Sequence, residues 1–121
     1  MENKLFTELL VWQHGRQLAG VIYALTKSFL KDEIFGLTSQ MRRAAVSIPS
    51  NIAEGCGRQT ARDTIQFLFI ARGSLYELET QLYIALDQQY LSSPVCEEAL
   101  TSITTCKKLL HGFINHYRSK L

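Results

Sequence analysis

Arg43, Ser47, Ser50 and Glu54 follow one another at spacings of four, three and four within LTSQMRRAAVSIPSNIAEGCG, residues 37–57. At 3.6 residues per turn these intervals place all four on one face of a helix. A guanidinium and a carboxylate on a shared face can share a proton or clamp an anion. No nucleophile stands beside a base at a recognisable spacing, so the preferred reading of this polar stripe is structural. It would be a salt-bridged layer of a helix bundle, meeting Glu77 or Glu79 of another helix, that fixes register or reaches a neighbouring subunit.

The remaining chemistry-bearing residues form weaker patterns. His111 and His116 are five apart, which puts them on different faces of a helix, and His14 is remote from both, so no metal site is expected. The Glu-x-x-His spacing of di-iron bundles is absent as well. Gly55–Cys56–Gly57 lacks the lysine and the glycine order of a phosphate loop, and no cofactor is expected. Cys56, Cys96 and Cys106 form no C-x-x-C pair and are odd in number, which suits free buried thiols better than disulfides.

These residues need helices to position them. The apolar side of residues 37–57 is Leu37, Met41, Ala45, Ile48, Ile52 and Cys56, and Pro49 inside it predicts a kinked second helix. A first helix is expected from Thr7, its N-cap, to Phe29, with Val11, Gly15, Leu18, Ile22, Leu25 and Phe29 as its seam. The second begins at a Thr38 or Ser39 cap and closes at Gly55 or Gly57 in a left-handed conformation. The third runs from about Ala61 to Gln88 behind a Thr60 cap, with a seam of Leu68, Ala71, Leu75, Leu78, Leu82, Ala85 and Leu86. Ser93 and Pro94 open the fourth, whose seam is Ala99, Ile103, Cys106, Leu110, Phe113 and Tyr117. The expected fold is all-α: one domain over residues 1–121, an antiparallel up-down-up-down four-helix bundle.

With 46% hydrophobic and 20% charged residues in 121, the chain is too apolar for disorder and has no run long enough to span a bilayer. The N-terminus shows no signal-peptide pattern, so the expected location is cytoplasmic, with no membrane partner. The net charge is only +2, but it is laid out in blocks: no Lys or Arg lies between Gly73 and Cys106, and no acid follows Lys107. In an up-down bundle this gathers Lys4, Arg58, Arg62, Arg118 and Lys120 at one end and Asp32, Glu33, Asp87, Glu97 and Glu98 at the other. A basic rim could hold phosphates, with RNA as the expected nucleic-acid ligand, and the alternative is ordinary solvated helix ends whose charges suit the helix dipoles. The candidate contacts are Arg58, Arg62, Arg118 and Lys120, with Arg16, Arg42 and Arg43 as second choices.

Large apolar residues also remain after one core is filled. Trp12 and Tyr23 on the first helix, and Phe69, Tyr76 and Tyr83 on the third, could form a stacking platform beside Arg16 and Arg72, but heptad-like spacing favours a subunit interface.

RAAVSIPSNIAEGCGR, with LVWQHGRQLA before it and ARGSLYELETQL after it, resembles the bacterial four-helix-bundle proteins encoded in large-subunit rRNA intervening sequences, a ribosomal protein S23-like family. The likeness covers nearly the whole chain. It implies a four-helix up-down protomer, a homo-oligomeric ring of pentameric type and no enzymatic activity. The accessory proteins of diversity-generating retroelements, which associate with reverse transcriptase and nucleic acid, are similar more loosely. The alternative function is a protein-interaction scaffold or accessory subunit whose partner the sequence does not name.

Overall fold

The computed structural model describes residues 5–121. Four long helices carry the fold: α1 (Leu10–Thr26), α2 (Leu37–Cys56), α3 (Ala61–Asp87) and α4 (Ser93–Arg118). Short 3-10 turns at Phe6–Glu8 and Lys31–Glu33 precede α1 and α2, and no strand occurs among the described residues. Consecutive helices pack on one another and α4 closes on α1, whereas the backbones of the diagonal pairs α1–α3 and α2–α4 make no close approach among the described residues. This is an antiparallel four-helix bundle around one contiguous core. Leu18, Ile22, Met41, Ile48, Ile52, Leu68, Leu75, Leu78, Leu82, Ile103, Leu110 and Ile114 fill its centre.

The helix ends differ from the sequence expectation in instructive ways. Thr7 does not cap α1, because it lies in the preceding 3-10 turn, and α1 stops at Thr26 rather than Phe29. Thr26, only 2% exposed, takes the seam position expected of Leu25. Its hydroxyl is satisfied by donating to the Ile22 carbonyl at 2.7 Å, which is what permits burial. Phe29 is still buried, held from the loop against the Tyr90 ring at 5.3 Å. In α4 the last buried seam residue is Ile114, with Phe113 and Tyr117 half-buried. Ser92, not Ser93, caps that helix, its oxygen accepting from the Val95 amide at 3.4 Å.

The residue before α2 is Gly36, so neither Thr38 nor Ser39 is the cap. The first amide of the helix, Leu37 N–H, instead donates to Glu33 Oε1 at 3.0 Å. The helix then runs uninterrupted through Pro49. Opposite the proline is Gly15, where a Cβ would lie 3.4 Å from Ile48 Cγ2 and 3.6 Å from Pro49 Cβ. The pyrrolidine ring therefore rests against bare α1 backbone.

No described glycine is left-handed; Gly57 has φ −85. Gly55 serves close approach instead, since a Cβ there would stand 3.2 Å from both Phe67 Cβ and the Thr64 carbonyl. Thr64 Oγ1 donates to the Gly55 carbonyl at 2.8 Å and locks that crossing of α2 and α3. The left-handed residue is Gln89, φ 61, just past α3. Its amide bonds to the Leu86 carbonyl and the Tyr90 amide to the Ala85 carbonyl, both at 2.9 Å, which is a Schellman closure. Thr60 caps α3 as expected, accepting from the Asp63 amide at 3.1 Å.

Candidate nucleic-acid interface

At the end of the bundle where α3 begins and α4 finishes, Arg62, Ile65, Gln66 and Phe69 face Arg118 and Leu121 across a groove of about 540 Å³. The α3 residues recur at helical spacing, and the last turn of α4 forms the opposite wall. Two guanidiniums lie over the Phe69 ring, Arg72 at 4.7 Å and Arg118 at 5.6 Å from its centroid. Arg118 is also in the last turn of its helix, where a cation meets the negative pole of the helix dipole. No acidic side chain lines the groove.

Of the four leading cation candidates the fold brings together Arg62 and Arg118 only. Arg58 faces the α2 side, stacked over Phe67 at 4.3 Å and paired to Glu54 at 2.9 Å, so its charge is already answered. Lys120 lies in the exposed turn after α4 and does not line the groove, and Lys4 falls outside the described residues. The second choices lie elsewhere. Arg16 is over Trp12 at 5.6 Å, while Arg42 and Arg43 lie on the outward side of α2 in its first half.

The five aromatic candidates divide between α1 and α3, which are diagonal in the bundle and so present two different sides. Tyr23, Tyr76 and Tyr83 are about half exposed, and Trp12 is half-buried, edge-on to Phe6 at 5.3 Å. A cation sits on four of the five rings: Arg16 on Trp12, Arg42 on Tyr23, Arg72 and Arg118 on Phe69, and Lys107 on Tyr76 at 4.3 Å. An incoming base or partner thus meets a cation–ring pair, not a bare ring.

The polar stripe on α2 is not an ionic layer. Ser47 Oγ lies 2.8 Å from Ser74 Oγ on α3 and accepts from Asn51 Nδ2 at 2.9 Å, so the tie between the helices is a hydroxyl pair. Ser50 and Arg43 are exposed, and Glu54 is spent on Arg58. Neither expected acid reaches the stripe: Glu79 pairs with Lys107 of α4 at 2.6 Å and Glu77 accepts from Gln81. Arg43 and Glu54 are separated by about 16 Å of helix, too far to act on one atom.

The three thiols are free, with Cys96 and Cys106 buried and Cys56 partly so. Burial raises all three, Cys106 to about 11, which leaves them protonated and unreactive near neutrality. His111 bonds to Asn115 within α4, and His116 stacks on Phe113. Sequence reading missed the buried polar residues Thr26, Thr64, Ser74 and Gln81. Thr26 and Thr64 were detectable in principle, each lying four residues from a seam apolar position.

A four-helix bundle with an arginine-and-aromatic groove at one end is the class that this architecture and site define. The family model described as 23S rRNA-intervening sequence protein matches residues 7–112, and the chain belongs to that family. It is similar to a protein of unknown function from the S23 ribosomal protein family of Bacteroides thetaiotaomicron, whose crystal structure superposes with a TM-score of 0.80. The two are 27% identical, over 87% of this chain and 98% of that one. No curated protein matches the chain. Arg62, Phe69 and Arg72 lie within the matched residues, whereas Arg118 and Lys120 lie beyond them. No helix among the described residues is long and apolar enough to cross a membrane.

Proposed function

We propose that this chain is a non-enzymatic, self-associating RNA-binding protein of the cytoplasm, with its RNA contacts in the Arg62–Phe69–Arg118 groove. One observation carries the reading. Arg72 and Arg118 lie over one aromatic ring, Phe69, and Arg62 lines the same groove as Arg118 and that ring, with no acidic side chain in its lining. Phosphates supply the missing charge, and a base can stack on the guanidinium–ring pair. About three neutralised phosphates give a slope near −2.7 for log affinity against log salt on duplex RNA. The test is filter binding of a labelled RNA hairpin across a salt series. The Arg62→Glu/Arg118→Glu variant loses at least about tenfold in affinity and flattens the slope, while Glu97→Lys at the far end loses none. A salt-independent signal, or full binding by the double variant, overturns the reading.

Self-association is supported by the outward face of α3, where Ile70, Tyr76, Tyr83 and Ile84 are 51%, 55%, 50% and 43% exposed. A ring, pentameric as in the family resemblance, needs two different faces on each copy. The start of α1, with Leu10 61% and Phe6 38% exposed beside Trp12, lies on the diagonal side and supplies the second. Sedimentation of Tyr76→Asp should show a lower mass with helicity unchanged. A monomeric wild type would refute the assembly.

A further inference from the structure

Arg42 is a surface cation held in place without an acidic partner among the described residues. Its Nε donates to Thr26 Oγ1 at 2.9 Å, and that hydroxyl is itself fixed by donating to the Ile22 carbonyl at 2.7 Å. Its guanidinium lies over the Tyr23 ring at 4.8 Å. One donor and one face are thereby used, and the two terminal nitrogens are left in a set orientation with no carboxylate partner among the described residues. Arg43 follows on the next ridge of α2, also without an acidic partner there. Between the two ridges is a hollow of about 500 Å³ that Tyr23, Ile34, Ser39 and Val46 help to line, and no acid lines it. The nearest carboxylate in sequence, Glu33, is committed to the Leu37 amide and the Tyr90 hydroxyl.

We infer that this hollow is a binding site for a small phosphate monoester with an apolar or aromatic body. The charge chooses the monoester. It carries close to two negative charges at neutral pH, matching two unpaired guanidiniums, whereas the diester within a nucleic-acid chain carries one and leaves an arginine unanswered. The geometry supplies the affinity, since the Thr26 anchor and the Tyr23 ring orient the Arg42 fork before the ligand arrives and so reduce the ordering cost of binding. Exposed Ile34 at 54% and Val46 at 41% offer apolar contact to the ester group, and the hollow has the size of a mononucleotide site. It lies on the α1–α2 side in the half of the bundle away from the Arg62 groove, so the inference does not depend on RNA binding there.

The test is NMR of the Arg42 Nε–Hε resonance during titration with phenyl phosphate, adenosine 5′-monophosphate and the methyl ester of phenyl phosphate, at constant ionic strength. Saturable shifts are expected with both monoesters, and binding at least about tenfold weaker with the diester. Arg42→Gln, followed through the Arg43 Nε–Hε resonance instead, should abolish saturation, and Arg43→Gln, an exposed change that leaves the core intact, should weaken it about tenfold or more, as loss of a charge-assisted bond does. Arg62→Glu/Arg118→Glu should leave the titration unchanged. Shifts that never saturate, that follow chloride equally, or that saturate in Arg43→Gln at wild-type affinity would overturn the site. So would a hairpin RNA that displaces phenyl phosphate in wild type but not in the Arg62→Glu/Arg118→Glu variant, because the phosphate would then belong to the groove.

Discussion

Where α3 turns into α4, Tyr90 donates to Glu33 Oε2 at 2.8 Å while Glu33 Oε1 takes the first amide of α2. At the far end Arg62, Phe69 and Arg118 line an open groove, and no acidic side chain among the described residues lines it. Both ends place aromatic and charged side chains side by side. At the first, each carboxylate oxygen has a partner from another part of the chain, so those residues hold the helix connections together. At the second, the helices are held by an uncharged crossing, Gly55 against Thr64, and the charges are surplus to the fold. The contrast separates two consequences of mutation. Changes at the closed end should move stability and spare RNA binding, and charge changes at the open end should do the reverse.

The largest stability effect should come from that uncharged crossing. Gly55→Val drives a branched side chain into the Thr64 carbonyl and Phe67, neither of which is a flexible tip, and overpacking of this kind costs about 2–3 kcal/mol. Urea denaturation should show the loss as a lower midpoint at unchanged slope. Gly36→Ala at the closed end is expected to cost less, although its Cβ would come nearer to its neighbour, 2.6 Å from Glu33 Oε1. A carboxylate at the end of a side chain can swing away and sacrifice only its bonds. If Gly36→Ala proved the worse of the two, the closed end would be the rigid one and the comparison would invert.

Arg62→Glu/Arg118→Glu should leave the urea midpoint within about 0.5 kcal/mol of wild type, as exposed substitutions do, while abolishing RNA retention. Gln89→Gly should raise stability by about 0.5–1 kcal/mol, because a left-handed conformation is strained for glutamine and free for glycine. Unfolding monitored by circular dichroism measures both. A destabilised double-charge variant would mean that the groove residues are structural after all.

How much of this was legible in the sequence follows the physics of each feature. The apolar seams of α2 and α3 repeat at helical spacing, and Thr60 announces the start of α3, so the fold class and most of the core could be read directly. The ends of α1 and α4 could not, because apolar residues continue past the last helical turn and are buried from a loop, as Phe29 is, or left half-buried, as Tyr117 is. Glycine chemistry misled for a related reason. Gly55 looked like a helix terminator, but it is a contact, a property of two helices that one sequence window does not contain. Charge blocks located the basic end, yet only the fold separates Arg58, which has Glu54 one turn away, from Arg62 and Arg118, which meet across a groove. The Arg42 anchor depends on Thr26, sixteen residues earlier, and no local pattern joins them.

The smallest effect, and the one that most directly probes the closed end, is its pH dependence. The Leu37 amide, and after it the Tyr90 hydroxyl, hold the Glu33 carboxyl below its ordinary range against the opposing pull of burial. A depressed carboxyl gives stability that is present above its unfolded pKa and is lost as pH falls through the folded one, so Glu33 contributes an acid flank beginning near 4.5. Tyr90 is raised above its ordinary 10.0, first by donating to Glu33, then by burial and by the charges of Glu33 and Asp32. That contribution is whole below the ordinary value and is lost as pH climbs through the folded one. Cys106, pushed up to about 11 by burial, erodes stability over part of the same alkaline range in every variant, so the diagnostic is a difference from wild type. Tyr90→Phe should remove its own share of the alkaline loss and shrink the acid flank without erasing it, because the Leu37 amide still favours the ionised carboxyl. Glu33→Gln should erase that acid contribution and leave Tyr90 closer to its ordinary value. Both groups are near the surface, where solvent screening keeps such effects small, so unfolding midpoints across the pH range are the suitable measurement. Tyr90→Phe running parallel to wild type on both flanks would mean that the hydroxyl does not secure this end.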